Sequence, residues 1–598
     1  METLASLLSA HRSGVATPRD TVRATYARIA AHDDPAIFIT LRPEADVLTE
    51  AAELEAKGHT DLPLYGIPVA VKDNIDVAGL PTTAACPAFA YDPAKDATVV
   101  ARLKAAGALI IGKTNLDQFA TGLVGTRSPY GVPRNAFNAK LVPGGSSSGS
   151  ASAVSAGLVP IALGTDTAGS GRVPAMLQNI VGVKPSLGLV PNTGLVPACR
   201  TLDCISVFAL TVDDAMAALE VMAGFDAEDA YSRPLPLAPL TTAPPALRLG
   251  ILPAAQREFF GDAEAAAAYE AALERLKGIG ATLVEFDFSP FAETARLLYE
   301  GPWVAERWIV AEPLLTTRPD EVHPVTRAIT EPGGRASAAD AFRALYRLKE
   351  LTAKVKPVLA SVDAIVLPTA PTAYNVDEVM ADNIRLNSRN GTYTNFVNLM
   401  DLCGTAVPAH ISADGVPYGI TLLAPAGRDG QVAAIARAFV AATPLPLGSS
   451  DAPPPAMASL PAPKEEGRMD VCVFGAHLSG MKLNGEILEL GGRFVAVART
   501  APAYRMWLLK GEVARPGVLR VTQGGAALEG EVWSLPVESI GRLLARIPAP
   551  LGLGSVELED GRHVTGFLAE ASGTQGCTDI TIFGGFRAYV ESGEARSA

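Results

Sequence analysis

The sequence predicts an α/β layered domain followed by a small, mostly-β domain with one or two helices. Three observations carry this. The chain has 598 residues, whereas a single hydrophobic core stops growing at about 250–300. Its first part alternates short apolar runs with Ala-rich helical stretches, the texture of strands layered with helices. Beyond residue 467 the texture changes to strand-like runs separated by Gly.

Residues 1–57 read as two helices, with apolar positions recurring every three to four residues and Thr17-Pro18 supplying a cap and a first-turn proline. Between 63 and 215, Pro68–Val71, Leu109–Ile111 and Val159–Leu163 read as strands, and Ala97–Ala106 and Ser148–Ala156 as helices. Residues 262–277 form an amphipathic helix, 335–356 another, and Asp363–Pro368 a buried strand. The run LGSSDAPPPAMASLPAPKEEG over 447–467 has no periodicity and reads as a linker between domains at 1–446 and 468–598. The second domain's predicted strands are Val471–Phe474, Phe494–Arg499, Arg505–Leu509, Val518–Val521, Gly530–Leu535, Ser555–Leu558 and Asp579–Phe583, with Val537–Arg546 as the clear helix.

A hydrophobic content of 48% with 19% charged residues describes a globular protein. A net charge of −13 argues against a nucleic-acid partner, which needs a basic face. The six cysteines (Cys86, Cys199, Cys204, Cys403, Cys472, Cys577) form no CxxC pair or Cys/His cluster, so neither a disulfide framework nor a metal site is indicated. The start, METLASLLSAHRSG, lacks the features of a signal peptide, and apolar stretches such as 151–164 are broken by Ser, Gly and Pro. No membrane span and a cytoplasmic location are expected.

Chemistry concentrates in Gly144–Pro174, GGSSSGSASAVSAGLVPIALGTDTAGSGRVP. A Gly/Ser run alone reads as a linker, but here two Gly-rich turns flank one helix and one strand, an arrangement that holds backbone close to a ligand. Serine needs a base to activate it and donors for the oxyanion. The backbone N–H groups of Thr167, Ala168, Gly169 and Ser170 are the candidate oxyanion donors. None of the seven histidines (His11, His32, His59, His323, His410, His477, His563) has a Gly-rich or strand-end setting in the first domain, which disfavours a Ser-His-Asp triad. Lys72 follows an apolar strand in GIPVAVKDN, where desolvation lowers an amine's pKa towards that of a base, although most lysines are simply solvated or salt-bridged.

GIPVAVKDN, GGSSSGS and GTDTAGSGR, in that order, closely resemble the amidase signature family, and IIGKTNLDQFA, PYGVPRNAFN, DAIVLPTAPT and VPYGITLLAP extend the resemblance over roughly residues 60–425. The resemblance implies a mixed central sheet covered by helices and a Ser-cisSer-Lys triad without a cofactor. Ser170 is then the nucleophile, Ser146 the proton relay behind a cis Gly145–Ser146 peptide, and Lys72 the base and later the acid. Asp166 and Arg172 flank the nucleophile as supports of its turn or as a plain salt bridge.

Tyr299 and Arg307, in LYEGPWVAER, read from spacing alone as part of an ordinary helix start, with Arg307 paired to Glu306 or Glu300. The segment nonetheless resembles one characteristic of the allophanate hydrolases within the family. That implies Arg307 as anchor of the substrate carboxylate and Tyr299 as a hydrogen-bonding partner of its urea-like core, a role suited to a guanidinium fork. Gly122 and Gly125 read as a compact pocket floor or a simple turn. GAHLSGMKLN at 475–484 resembles the γ-glutamylcyclotransferase-like C-terminal domain of full-length allophanate hydrolases. It implies decarboxylation of the first product there, with His477 as acid/base group or as a structural residue. The expected substrate is therefore allophanate, and the implied functional link is to a biotin-dependent urea carboxylase. The helices at 262–277 and 335–356 permit the homodimer that is expected. The competing readings are a broad-specificity amidase whose second domain is a non-catalytic interaction module, and a glutaminase subunit of the amidotransferase type.

Overall fold

The computed structural model describes residues 1–443, 445–458, 460, 466–511 and 513–593. Eleven strands make one sheet: β1 (Phe38–Leu41), β2 (Pro68–Lys72), β3 (Leu109–Thr114), β4 (Ile161–Asp166), β5 (Val181–Lys184), β6 (Cys204–Ala209), β7 (Leu247–Ile251), β8 (Ala281–Glu285), β9 (Ala364–Pro368), β10 (Leu402–Ile411) and β11 (Pro417–Pro425). Their order is β1-β3-β2-β4-β6-β5-β10-β11-β9-β7-β8. β2 runs parallel to both β3 and β4, whereas β4–β6, β5–β6, β10–β5 and β10–β11 are antiparallel, so the sheet is mixed. Every residue of β2, β3, β4, β5, β6 and β9 is buried. Strands covered on both faces read as continuous apolar runs, which is why β2, β3, β4 and β9 were legible, whereas β5 and β6 were not read as strands from the sequence.

Several elements differ from expectation. Residues 1–57 hold three helices, Leu4–Ser13, Pro18–His32 and Glu44–Lys57, with β1 between the second and third. Asp33, at φ 50°, ends the second helix, and the four-residue run that follows is too short to show a period and gains its strand form by pairing with β3. The helix expected to stop at 356 runs over Ala338–Ser361 and contains Pro357.

The second domain has a five-stranded sheet and a three-stranded one around its own core, with Trp533 among the largest buried side chains. Its strand His563–Ala569 was not anticipated; it pairs with both Arg468–Val473 and Leu551–Glu557. Helices Asn484–Glu489 and Phe586–Glu591 join Val537–Ala545, making three among the described residues where one or two were expected. The predicted strand at 579–583 keeps only Thr578–Asp579 before a 3-10 turn. Of the predicted linker, residues 459 and 461–465 lie outside the described residues. Its start lies against the first domain: Leu447 is buried and Ser449 N and Oγ donate to Ser155 O at 3.0 and 2.9 Å. Among the described residues no helix is long and apolar enough to cross a membrane.

Candidate active site

β2 and β4 are parallel neighbours with Val71 opposite Leu163, so Lys72 and Thr165 emerge together at their C-terminal ends. The helix Ser148–Ser155 packs beside them and brings the loop carrying Ser146 to the same end. Lys72 is fully buried, and its Nζ lies 2.8 Å from Ser146 Oγ, 3.0 Å from Ser147 Oγ and 2.7 Å from Thr165 Oγ1. Burial drives its pKa down to about 7, against the opposing pull of Asp117, Asp203 and Asp166. No carboxylate forms an ion pair with Lys72 among the described residues, so the amine is neutral over part of the ordinary pH range. The Gly145–Ser146 peptide is cis, as the resemblance implied.

Ser170 is buried on the turn after β4, and its hydroxyl faces Gly122 O at 3.4 Å. Asp166 organises this turn. It accepts hydrogen bonds from Gly169 N and Gly171 N at 3.0 Å each and pairs with both Arg172 Nε and Nη2 at 2.9 Å. Burial alone would raise the Asp166 carboxyl; the Arg172 charge and the turn's N–H groups hold it below the usual range. This corrects one expectation: the Gly169 N–H is engaged by Asp166. The N–H groups of Thr167, Ala168 and Ser170 have no acceptor among the described residues. Gly169 itself has φ 134°, and a Cβ there would sit 2.5 Å from Thr394 Oγ1.

Two carboxylates that sequence reasoning did not single out frame these loops. Asp117, in the family-like run IIGKTNLDQFA, donates its N–H to Ser146 O (3.0 Å), while its carboxylate accepts from Gly125 N (3.0 Å) and Arg127 N (2.9 Å). Asp203 accepts from Thr167 Oγ1 at 2.5 Å, Ala198 N at 2.7 Å and Cys199 N at 3.2 Å. Burial pushes its carboxyl up to about 6. For Asp117 the only signal available was its place inside a matching run; Asp203 lies in none of those runs, and a buried Asp has no periodicity of its own.

Close packing by itself accounts for glycine at 122 and 125, a reason separate from the pocket-floor reading. A Cβ on Gly122 would strike the Asp117 carboxylate, and one on Gly125, at φ 78°, would lie 2.6 Å from Gly144 O. What Gly122 offers the site is its carbonyl, on the Ser170 hydroxyl.

Arg307 lies on the helix Val304–Thr317 and is 3% exposed. The ordinary-helix alternative, pairing with Glu306 or Glu300, is not what occurs. Glu306 accepts from Thr201 N and Oγ1, and Arg307 instead donates to Thr121 Oγ1 (2.9 Å), Ala120 O (3.5 Å) and Tyr299 Oη (3.3 Å). Its guanidinium stands 5.2 Å from the Tyr299 ring centre, and its buried Nε has no partner among the described residues. The backbone of 120–122 thus touches Arg307 at one end and Ser170 at the other. At 3.8 Å per residue its ends are at most about 7.6 Å apart, the scale of a single small substrate.

In the second domain His477 is half-buried. Its Nε2 lies 3.3 Å from Glu486 Oε2 and its ring 5.1 Å from that of Phe567. Burial lowers its pKa, partly offset by Glu486.

The sheet, the two loops and the lysine match a known family model. The model described as Amidase matches residues 20–433, more than half the chain. The chain belongs to the amidase family. A second model, the allophanate hydrolase C-terminal domain, matches residues 469–591 of this amidase. A solved structure described as a Kluyveromyces lactis allophanate hydrolase superimposes with a TM-score of 0.82 at 42% identity, covering 99% of both chains. The urea amidolyase of Lachancea kluyveri is 44% identical over 94% of this amidase, which covers 32% of that protein. A glutamyl-tRNA(Gln) amidotransferase subunit from Symbiobacterium thermophilum is 35% identical, but over 68% of the chain and 90% of its own length. The amidase thus spans about a third of the urea amidolyases it matches.

Proposed function

We propose that this amidase hydrolyses allophanate, the N-carboxylated form of urea, to ammonia and N-carboxycarbamate in urea degradation, and that its second domain decarboxylates that product. The observation carrying the substrate is the buried Arg307 guanidinium. It has no carboxylate partner among the described residues and is tied through residues 120–122 to the Ser170 hydroxyl. A buried cation is kept where an anion will meet it. Tyr299, whose hydroxyl accepts from the same guanidinium at 3.3 Å, is the proposed hydrogen-bond partner of the ureido group.

The roles are those implied by the family resemblance, and the 2.8 Å contact between Lys72 Nζ and Ser146 Oγ supports the first of them. Neutral Lys72 takes the Ser146 proton as Ser146 takes that of Ser170, and Ser170 Oγ attacks the ureido carbonyl. The N–H groups of Thr167, Ala168 and Ser170 receive the oxyanion. The lysine returns its proton through Ser146 to the leaving ammonia, and water then releases the acyl group by the reverse relay. No resident cofactor enters these steps. His477 is assigned to the decarboxylation.

The amidotransferase subunit covers 68% of this chain and 90% of its own length, and the glutaminase reading gives no account of residues 469–591, where the allophanate hydrolase C-terminal model fits. We further propose domains at 1–446 and 468–598 joined by 447–467, a homodimer, and a functional link to a biotin-dependent urea carboxylase. The link is consistent with urea amidolyases being far longer than this chain. Six unpaired cysteines, five of them buried, suit a reducing cytoplasm.

The test is turnover of allophanate against glutamine, malonamate and simple amides by wild type and Ser170→Ala. We expect allophanate to be preferred and Ser170→Ala to be folded and inactive. Preference for glutamine, or near-wild-type turnover by the variant, refutes the reading.

A further inference from the structure

In the second domain, His477, Glu486 and Arg515 stand around a cavity of about 60 Å³ whose remaining wall includes Phe474, Pro516 and Phe567. A second cavity, of about 270 Å³, is lined by Lys510, Arg515, Pro548 and Leu551. Arg515, Pro548 and Leu551 line both, so Arg515 stands where the outer space meets the inner one.

Other arginines of this domain are matched with carboxylates: Arg505 with Asp579, Arg520 with Glu557, Arg546 with Glu489 and Arg587 with Glu531. Arg515 differs. Its Nε is buried and has no hydrogen-bond partner among the described residues. An unmade buried donor is costly, and a cation beside an apolar cavity calls for an anion. Arg515 and His477 line the same cavity, and the positive charge of Arg515 opposes protonation of His477.

We propose that Arg515 anchors a carboxylate of a small dicarboxylate in this cavity, with His477 as the acid that acts on it and the Lys510 side as the entrance. This rests on the reading that the second domain decarboxylates N-carboxycarbamate. That intermediate carries two carboxylates on one nitrogen. Arg515 grips one with its planar fork, leaving the other against the apolar wall, where loss of charge as neutral CO2 is favoured. The C–N bond to that second carboxylate breaks, and its electron pair stays on nitrogen. The imidazolium of His477 supplies the proton, giving carbamate, CO2 and neutral imidazole, which solvent reprotonates. Glu486 on Nε2 leaves Nδ1 to donate, and the arriving dianion favours the charged imidazole it needs.

The full-length chain is supplied with 13C-labelled allophanate. Ammonia reports the first step, while 13C NMR follows conversion of N-carboxycarbamate to CO2. Circular dichroism checks that variants fold. Arg515→Ala should slow conversion of the intermediate at least tenfold relative to wild type, Arg515→Lys should recover part of the loss, and added guanidinium ion should accelerate Arg515→Ala but not wild type. Rescue is a response that a merely structural arginine would not give. Wild-type conversion by Arg515→Ala, or slowing without guanidinium rescue, overturns the anchor. If His477→Asn slows conversion while Arg515→Ala does not, only the anchor falls. Should His477→Asn also match wild type, the decarboxylase reading falls and takes the anchor with it.

Discussion

Replacing Arg307 with Ala tests the substrate assignment most directly. The side chain is buried, donates to Thr121 Oγ1, Ala120 O and Tyr299 Oη, and keeps an unused Nε. A carboxylate received in its fork gains two charge-assisted hydrogen bonds, each contributing about 1.5–3 kcal/mol. Their joint loss is therefore about 3–6 kcal/mol, or roughly 10²- to 10⁴-fold in kcat/KM at about 1.36 kcal/mol per tenfold. Because the carboxylate is bound alike in ground and transition states, the loss should appear mainly in KM. The assay is steady-state ammonia release from allophanate and from biuret, in which a neutral carboxamide replaces the carboxylate. Wild type should strongly prefer allophanate, and Arg307→Ala should lose most of that preference by failing on allophanate alone. An unchanged KM for allophanate, or equal losses on both substrates, refutes carboxylate recognition by Arg307.

Lys72 must be unprotonated to act as base, so kcat/KM should fall as pH drops below about 7, the value to which burial brings this amine; Lys72→Met should remove that limb and cost roughly 10⁴-fold. Asp203→Asn weakens the bond to Thr167 Oγ1 and sets an amide donor against the N–H groups of 198 and 199. One charge-assisted bond lost there, about 1.5–3 kcal/mol, should lower kcat roughly 10- to 150-fold with little change in KM, and a purely KM effect would argue against its holding the oxyanion loop. Gly122→Ala drives a methyl into Asp117. It should destabilise the protein by about 1–3 kcal/mol in urea unfolding and depress activity, whereas a stable, active variant with altered substrate size range would favour the pocket-floor reading.

Sequence alone determined what is local or continuous. The buried strands β2, β3 and β4 each open on a short apolar run, and the amphipathic helix at 263–278 opens on its Asp262 cap. Lys72, Ser146 and Ser170 stand in three ordered motifs. The order of the eleven strands, the placement of β1 and the strand at 563–569 depended on partners far along the chain, because a short run becomes a strand only when a neighbouring edge satisfies its backbone. Tertiary structure also decided the chemistry at finer scale. Burial brings the Lys72 amine near neutrality, Asp166 withdraws the Gly169 N–H from the oxyanion donors, and the Thr201–Glu306 contact leaves Arg307 without its sequence-neighbouring carboxylate. Motifs name the groups, whereas desolvation and hydrogen-bond competition, which act across the fold, decide which of them are free to react.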